Sequence, residues 1–97
     1  MELKDEQNHK LWLVYILRCS DGSFYTGATN CLEKRLACHH RGMASKYTRS
    51  RRPVSLFAVS SMMDKTDALR LEIKVKKSPK TKKVVCLKNG RPDIKTG

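Results

Sequence analysis

The chain alternates between short apolar runs and strongly polar helices, and the runs come first. LWLVYILRC, residues 11 to 19, is almost wholly apolar and rich in β-branched and aromatic types. It stops at Ser20-Asp21-Gly22, and FYTGA follows. Two such runs around a Gly-containing turn predict a β-hairpin over residues 11 to 28. NCLEKRLACHH has helical composition, with Asn30 placed as N-cap and Glu33 three residues on in a capping-box arrangement. Gly42 is its stop. MASKYTRSRRP has no period and reads as an exposed loop. VSLFAVS reads as a third strand. A second helix, DALRLEIKVKK, is capped by Asp64 or Thr66; a third, KTKKVVCLKN, starts at Ser78-Pro79 and closes at Gly90. These elements predict an α+β fold, a small antiparallel three-stranded sheet flanked by about three helices. They form one domain over residues 11 to 90, between a flexible lead (1 to 10) and a mobile tail (91 to 97), and 97 residues leave no room for a second core.

Charge narrows the class of partner. The chain carries 21 Lys and Arg against 9 Asp and Glu, a formal net charge of +12. Three of the acids, Glu2, Asp5 and Glu6, lie in the lead, so the domain itself is more positive still. Such a field concentrates polyanions, which makes nucleic acid the leading partner. A membrane is disfavoured because no long apolar run exists and aromatic anchors are few. No obligate protein partner is evident. MELKDEQNHK lacks the basic-then-apolar start of a secretory signal, and a cytoplasmic protein is expected. Cys19, Cys31, Cys38 and Cys86 are then expected as reduced thiols. Cys31, Cys38, His39 and His40 are zinc-ligand types, but their spacing matches neither finger nor ribbon, and buried apolar thiols are the simpler account.

Two polar anomalies stand on otherwise apolar helix faces. In the second helix Ala68, Leu69, Leu71, Ile73 and Val75 sweep out an apolar arc at about 100° per residue, and Glu72 projects within it. Arg70, Lys74 and Lys77 lie opposite, whereas Lys76 sits at the arc's edge. A carboxylate facing a core needs a cation, hydrogen bonds or a metal. An internal ion pair and a metal ligand both satisfy that need. In the first helix Arg35 and His39, four residues apart, fall on the side that carries Leu32 and Leu36, so both are expected to face inward. Satisfied core histidines are common, and this pattern alone does not assign chemistry.

The ordered set of VYIL, YTG ten residues later, a helix with Arg-x-x-x-His, a strand and a helix with ALRLE resembles the GIY-YIG nuclease superfamily. The likeness spans roughly residues 11 to 80. It is closest to small stand-alone bacterial members, similar in turn to the nuclease domain of structure-specific endonucleases. The resemblance assigns Tyr15 and Tyr25 to the two tripeptide tyrosines, Arg35 and His39 to the helix pair, and Glu72 to the single metal-binding glutamate. Here the first tripeptide is Leu13-Val14-Tyr15, without its glycine. Asn89 matches only loosely an asparagine near the end of larger members.

A shared site requires both tyrosines on one sheet face, and that depends on the turn. A two-residue Asp21-Gly22 turn would put them on opposite faces. A three-residue loop, with Ser20 and Asp21 in a type I turn and Gly22 left-handed in a G1 bulge, puts them on the same face and suits Ser-Asp-Gly. Gly27 would leave bare strand surface for a phosphate.

The chemistry implied is hydrolysis of a phosphodiester in DNA, structure-selective and set in repair or recombination, with RNA the other substrate that a basic groove would suit. Glu72 would hold one Mg²⁺ or Mn²⁺, Arg35 would stabilise phosphate charge, Tyr25 would orient water, and Tyr15 would be the base with His39 as its competitor. Lys46, Arg49, Arg51 and Arg52 of the loop, with Lys80, Lys82 and Lys83 of the third helix, would grip the backbone. Sparse aromatic residues argue against single-strand specialisation. The alternative is a non-catalytic nucleic-acid-binding module with the same fold; an inward carboxylate is what distinguishes the enzyme.

Overall fold

The structure, a computed structural model, describes residues 11–89. The expected lead, the tail and the stop at Gly90 lie outside the described residues. Strands β1 (Leu13–Arg18), β2 (Phe24–Thr29) and β3 (Ser55–Val59) form one antiparallel sheet in the order β2-β1-β3. β1 is therefore central, and its apolar continuity has a simple cause: both of its faces are covered. Val14 and Ile16 point to one side, where they pack with Ala68, Leu71, Val75 and Leu87. Leu13, Tyr15, Leu17 and Cys19 point to the other and meet Val54, Leu32 and Leu36. The sheet thus separates two small cores.

Four α-helices flank it: α1 (Leu32–His40), α2 (Lys46–Arg49), α3 (Lys65–Lys77) and α4 (Lys83–Lys88), the last preceded by a 3₁₀ turn over Lys80–Lys82. The α+β class and the three-stranded antiparallel sheet agree with the sequence expectation, with one helix more than anticipated. That helix, α2, lies in the segment expected to be a loop. It is too short to show a period, and Ser45 caps it by accepting from the Thr48 amide at 3.1 Å.

Helix boundaries differ from the expectation in three places. Cys31, not Asn30, is the N-cap of α1 and makes no side-chain cap bond; Thr29 Oγ1 instead accepts from the Cys31 amide at 3.0 Å. That bond shapes the turn into the helix but does not replace the expected cap, which would accept from an amide inside the first turn. At the other end of α1, Gly42 is left-handed (φ 78°), with its amide on the His39 carbonyl and the Met43 amide on the Cys38 carbonyl. That pair of bonds is a Schellman stop. Asp64 caps α3 by accepting from the Asp67 amide at 2.9 Å. Ser78 ends α3 rather than opening the next helix, and α4 proper starts only at Lys83. Lys83 itself turns back, donating to the carbonyls of Val75 and Lys76 at 2.8 and 3.1 Å. A cation at the start of one helix is accommodated because it sits at the C-terminal end of another.

The hairpin adopts the three-residue loop. Cys19 and Ser23 close it, Gly22 donates to the Cys19 carbonyl at 2.9 Å, and Gly22 has φ 85°. Leu17 consequently faces Tyr25 and Tyr15 faces Gly27, so both tyrosines lie on one face of the sheet. The loop is held from two sides. Arg51 binds Asp21 at 3.0 Å and its carbonyl accepts from the Ser20 amide, while Lys80 donates to the Gly22 carbonyl at 2.5 Å.

Candidate active site

Tyr15 is the centre of the site because of the residue opposite it. Its ring extends from the central strand across edge strand β2 and fills the space above Gly27, where an added Cβ would lie 2.5 Å from the phenol oxygen. The surface at Gly27 is therefore covered by the phenol and is not bare, contrary to the expectation of a phosphate approach there. Tyr15 is only 2% exposed. Its hydroxyl meets Nε2 of His39 at 2.9 Å, and the other ring nitrogen, Nδ1, meets Thr48 Oγ1 at 2.8 Å. His39 and Thr48 are completely buried. Thr48 Oγ1 in turn lies 2.9 Å from Ser45 Oγ. A continuous line of hydrogen bonds thus runs from β1 through α1 to the cap of α2.

Tyr25 closes the histidine from the side. Its ring stands edge-on to His39 with centroids 5.2 Å apart and stacks on Tyr47 at 6.1 Å. The guanidinium of Arg51 lies 3.8 Å above the Tyr47 ring. Tyr47, Thr48 and Ser45 join this cluster without having been expected in it. The Ser-x-x-Thr capping pattern at residues 45 to 48 was the available signal for a short helix.

Arg35 does not face inward with His39. It is exposed on α1, and only the histidine is buried. The helix face through Leu32, Leu36 and His39 is the inward one, which leaves residue 35 at its margin. Its charge nevertheless reaches both partners of the central hydrogen bond. Burial, reinforced by Tyr25, raises the Tyr15 pKa far above the ordinary phenol value; Arg35 opposes this and Glu72 adds to it. Burial, then Arg35 and His40, holds the His39 pKa below its ordinary value. Both groups are thereby kept neutral.

Glu72 approaches from α3, which packs on the opposite side of the sheet. Its negative charge adds slightly to the upward shift of the Tyr15 pKa. The carboxylate is largely covered, with 19% of the side chain exposed, and pairs through Oε2 with Lys76 at 3.1 Å. The expected apolar arc is narrower than its composition suggested: Ala68, Leu71 and Val75 are buried, but Leu69 and Ile73 are 40% and 55% exposed. Glu72 stands at the margin of the core, where a partly hydrated acid is tolerable. The ion pair with Lys76 holds one oxygen, and Oε1 makes no hydrogen bond among the described residues. A hard cation that keeps most of its water needs one or two such oxygens. Among the described residues no cluster of three or more His, Cys, Asp or Glu could hold a metal, and the four cysteines are free.

The seven cations expected to bind nucleic acid divide into two groups. Arg51 and Arg52 are engaged internally: Arg51 with Asp21 and the Tyr47 carbonyl, Arg52 with the carbonyls of Arg49 and His40. Lys80 and Lys83 are likewise tied to backbone carbonyls. Lys46, Arg49 and Lys82 are exposed without a side-chain hydrogen bond or ion pair among the described residues. Lys46 and Arg49 line an open cavity of about 330 Å³ with Met43 and Ser45, beside the helix that carries Thr48. Among the described residues no helix is long and apolar enough to cross a membrane.

A buried tyrosine–histidine pair over a strand glycine, an exposed arginine on the same helix as the histidine, and a largely covered carboxylate on α3 are the polar features of this small α+β scaffold. The family model described as the GIY-YIG catalytic domain matches residues 11–84, and the chain belongs to the GIY-YIG family. It is similar to the UPF0213 protein of Nitratidesulfovibrio vulgaris, 42% identical over 78 residues that cover 80% of this chain and 71% of that one. It is also similar to a UPF0213 protein of Oceanobacillus iheyensis, 44% identical, with 82% and 88% covered. The solution NMR structure of the UPF0213 protein of Bacillus halodurans superimposes with a TM-score of 0.50 at 42% identity, covering 84% of this chain and 88% of that one.

Proposed function

We propose that the protein is a metal-dependent endonuclease that hydrolyses phosphodiester bonds in DNA and selects its substrate by structure, in keeping with a role in repair or recombination. The observation that carries this reading is the buried hydrogen bond between Tyr15 and His39, held within the fields of Arg35 and Glu72. A phenol and an imidazole held neutral and hydrogen-bonded to each other within the fields of Arg35 and Glu72 are arranged to pass a proton, which binding alone does not require.

The pair divides the work of a base. With its pKa raised, Tyr15 is a poor proton acceptor alone, but a water that reaches it only with the substrate can donate to its oxygen while its own proton passes to Nε2 of His39. As the water oxygen bonds to phosphorus, the bond to the leaving oxygen breaks, solvent protonates that alkoxide, and the extra proton on His39 returns through Tyr15 to solvent as product leaves. Tyr25 shields the imidazole and borders the water's approach. Arg35, exposed at the rim, stabilises the charge that gathers on the phosphoryl oxygens. Glu72 would hold Mg²⁺ or Mn²⁺ through Oε1, and the bound cation would supply Lewis-acid stabilisation of the phosphoryl and leaving oxygens. Lys46, Arg49 and Lys82 are the cations free to follow a phosphate backbone.

A cleavage panel of duplex, flap, junction and single-stranded DNA, with matching RNA, in Mg²⁺, Mn²⁺ and EDTA tests the reading. Metal-dependent cutting of a branched substrate, lowered by about 10²-fold or more in Tyr15→Phe, is expected. Binding without cutting under every condition would replace the enzyme with a binding module.

A further inference from the structure

We propose that Thr48 is a positioning residue that fixes His39 in the tautomer with its proton on Nδ1, so that Nε2 faces the Tyr15 hydroxyl as an acceptor. The inference rests on the catalytic reading for its purpose, and on hydrogen-bond accounting for its evidence.

Tyr15, His39, Thr48 and Ser45 supply a closed set of donors and acceptors. Ser45 Oγ accepts from the Thr48 amide at 3.1 Å and lies 2.9 Å from Thr48 Oγ1. The Thr48 hydroxyl donates to the Ser45 carbonyl at 3.4 Å. Its lone pairs are then free to accept from Ser45 O–H and from His39 Nδ1–H, which lies 2.8 Å away. Nε2 carries no proton in this arrangement and accepts from Tyr15 O–H at 2.9 Å. Every donor in the set has an acceptor. With the proton on Nε2 instead, that N–H would point at the phenol oxygen. The buried Tyr15 hydroxyl would then have to donate elsewhere, and it makes no other hydrogen bond among the described residues. An unpaired buried donor is costly, and in general the partner of one ring nitrogen sets the state of the other.

The consequence is directional. Thr48 makes His39 a proton acceptor toward Tyr15, and the opposite tautomer would offer a donor and halt the transfer. Leu, Val or Ala at this position would leave Nδ1–H facing an apolar wall. The helix α2 is thereby tied to Tyr15 through His39 alone.

Long-range ¹H–¹⁵N NMR of the full chain reads the tautomer directly, without metal or substrate. Protonated Nδ1 and bare Nε2 in the wild type are expected; a protonated Nε2 would overturn the proposal outright. Thr48→Val should shift His39 to the opposite or a mixed tautomer and lower the cleavage rate about 10²-fold, with KM unchanged. Thr48→Ser keeps the hydroxyl and should restore both. A folded Thr48→Val protein with a wild-type histidine spectrum would also reject it. Should Thr48→Val fail to fold, the wild-type and Thr48→Ser spectra decide. A chain that never cuts nucleic acid yet shows the Nδ1–H state would defeat the proposed function and leave the tautomer assignment standing.

Discussion

The phenol of Tyr15 occupies the volume that a side chain at residue 27 would need. The two residues are direct cross-strand partners, and a Cβ on Gly27 would come 2.5 Å from the hydroxyl oxygen and 2.6 Å from the carbon that bears it. The glycine of YTG is thus a steric requirement of the tyrosine of VYIL. Gly27→Ala should push the ring from its pocket, break the bond to His39 and cost roughly 1 to 3 kcal/mol as an overpacked site. Urea denaturation with the His39 ring signals checks this; unchanged stability and spectrum would refute it.

Glu72→Gln should abolish cleavage while leaving nucleic-acid affinity equal or higher, because a negative charge leaves a cationic surface. Stability should change by less than about 1 kcal/mol, since the lost ion pair with Lys76 is half exposed. Cleavage assays, binding isotherms and melting curves on one preparation separate the three effects. Retained Mg²⁺-dependent cutting would remove Glu72 from the mechanism.

The basic loop should split into residues that grip and residues that build. Lys46→Ala with Arg49→Ala should make the log–log salt dependence of binding shallower by about 0.9 per lost duplex phosphate contact, at unchanged stability. Arg51→Ala and Arg52→Ala should lower stability, because the first releases Asp21 and the Tyr47 ring and the second uncaps two helix ends. An unchanged slope in the first variant would place the nucleic acid on another face.

Stability should depend on pH through the buried pair. A histidine with a lowered pKa binds fewer protons folded than unfolded, so its contribution is present above about 6.5 and is lost as pH falls toward the folded value. Tyr15, with a raised pKa, contributes fully below about 10 and loses its contribution as pH climbs beyond. Denaturant midpoints across that range should therefore show a plateau between these limits. His39→Asn should flatten the acid side; a limb of the same depth in that variant would assign it to other groups.

The strands and their order of faces were legible because local rules determine them. Ser-Asp-Gly has a strong turn preference, and the three-residue loop followed from it together with the need to bring two tyrosines to one face. Asp64 and Gly42 announced their helix ends by residue type. What escaped were contacts between segments distant in sequence. Arg35 and His39 share a nominal helix side, yet only packing against Tyr15 decides which is buried. The loop arginines looked equivalent as charges, and their different carbonyl partners exist only once α1 and α2 meet. Leu69 and Ile73 belong to an apolar arc by composition, but the sheet and α4 are too narrow to cover it. Thr48 carried no signal of its importance, because a buried hydroxyl acquires its role from a histidine nine positions away.

The division of the interior by a single sheet makes the two halves of the site mechanically separable. Tyr15, His39 and Thr48 stand in one compartment, and Glu72 is carried by a helix seated in the other. Leu71→Ala, which hollows the second compartment beside Glu72 at a cost of roughly 2 to 5 kcal/mol, should loosen the carboxylate while the histidine's ring environment stays as it was. The thin sheet thus works as a partition, with the Tyr15–His39 pair on one side and the helix of Glu72 on the other, and each side should be open to retuning from behind without disturbing its neighbour.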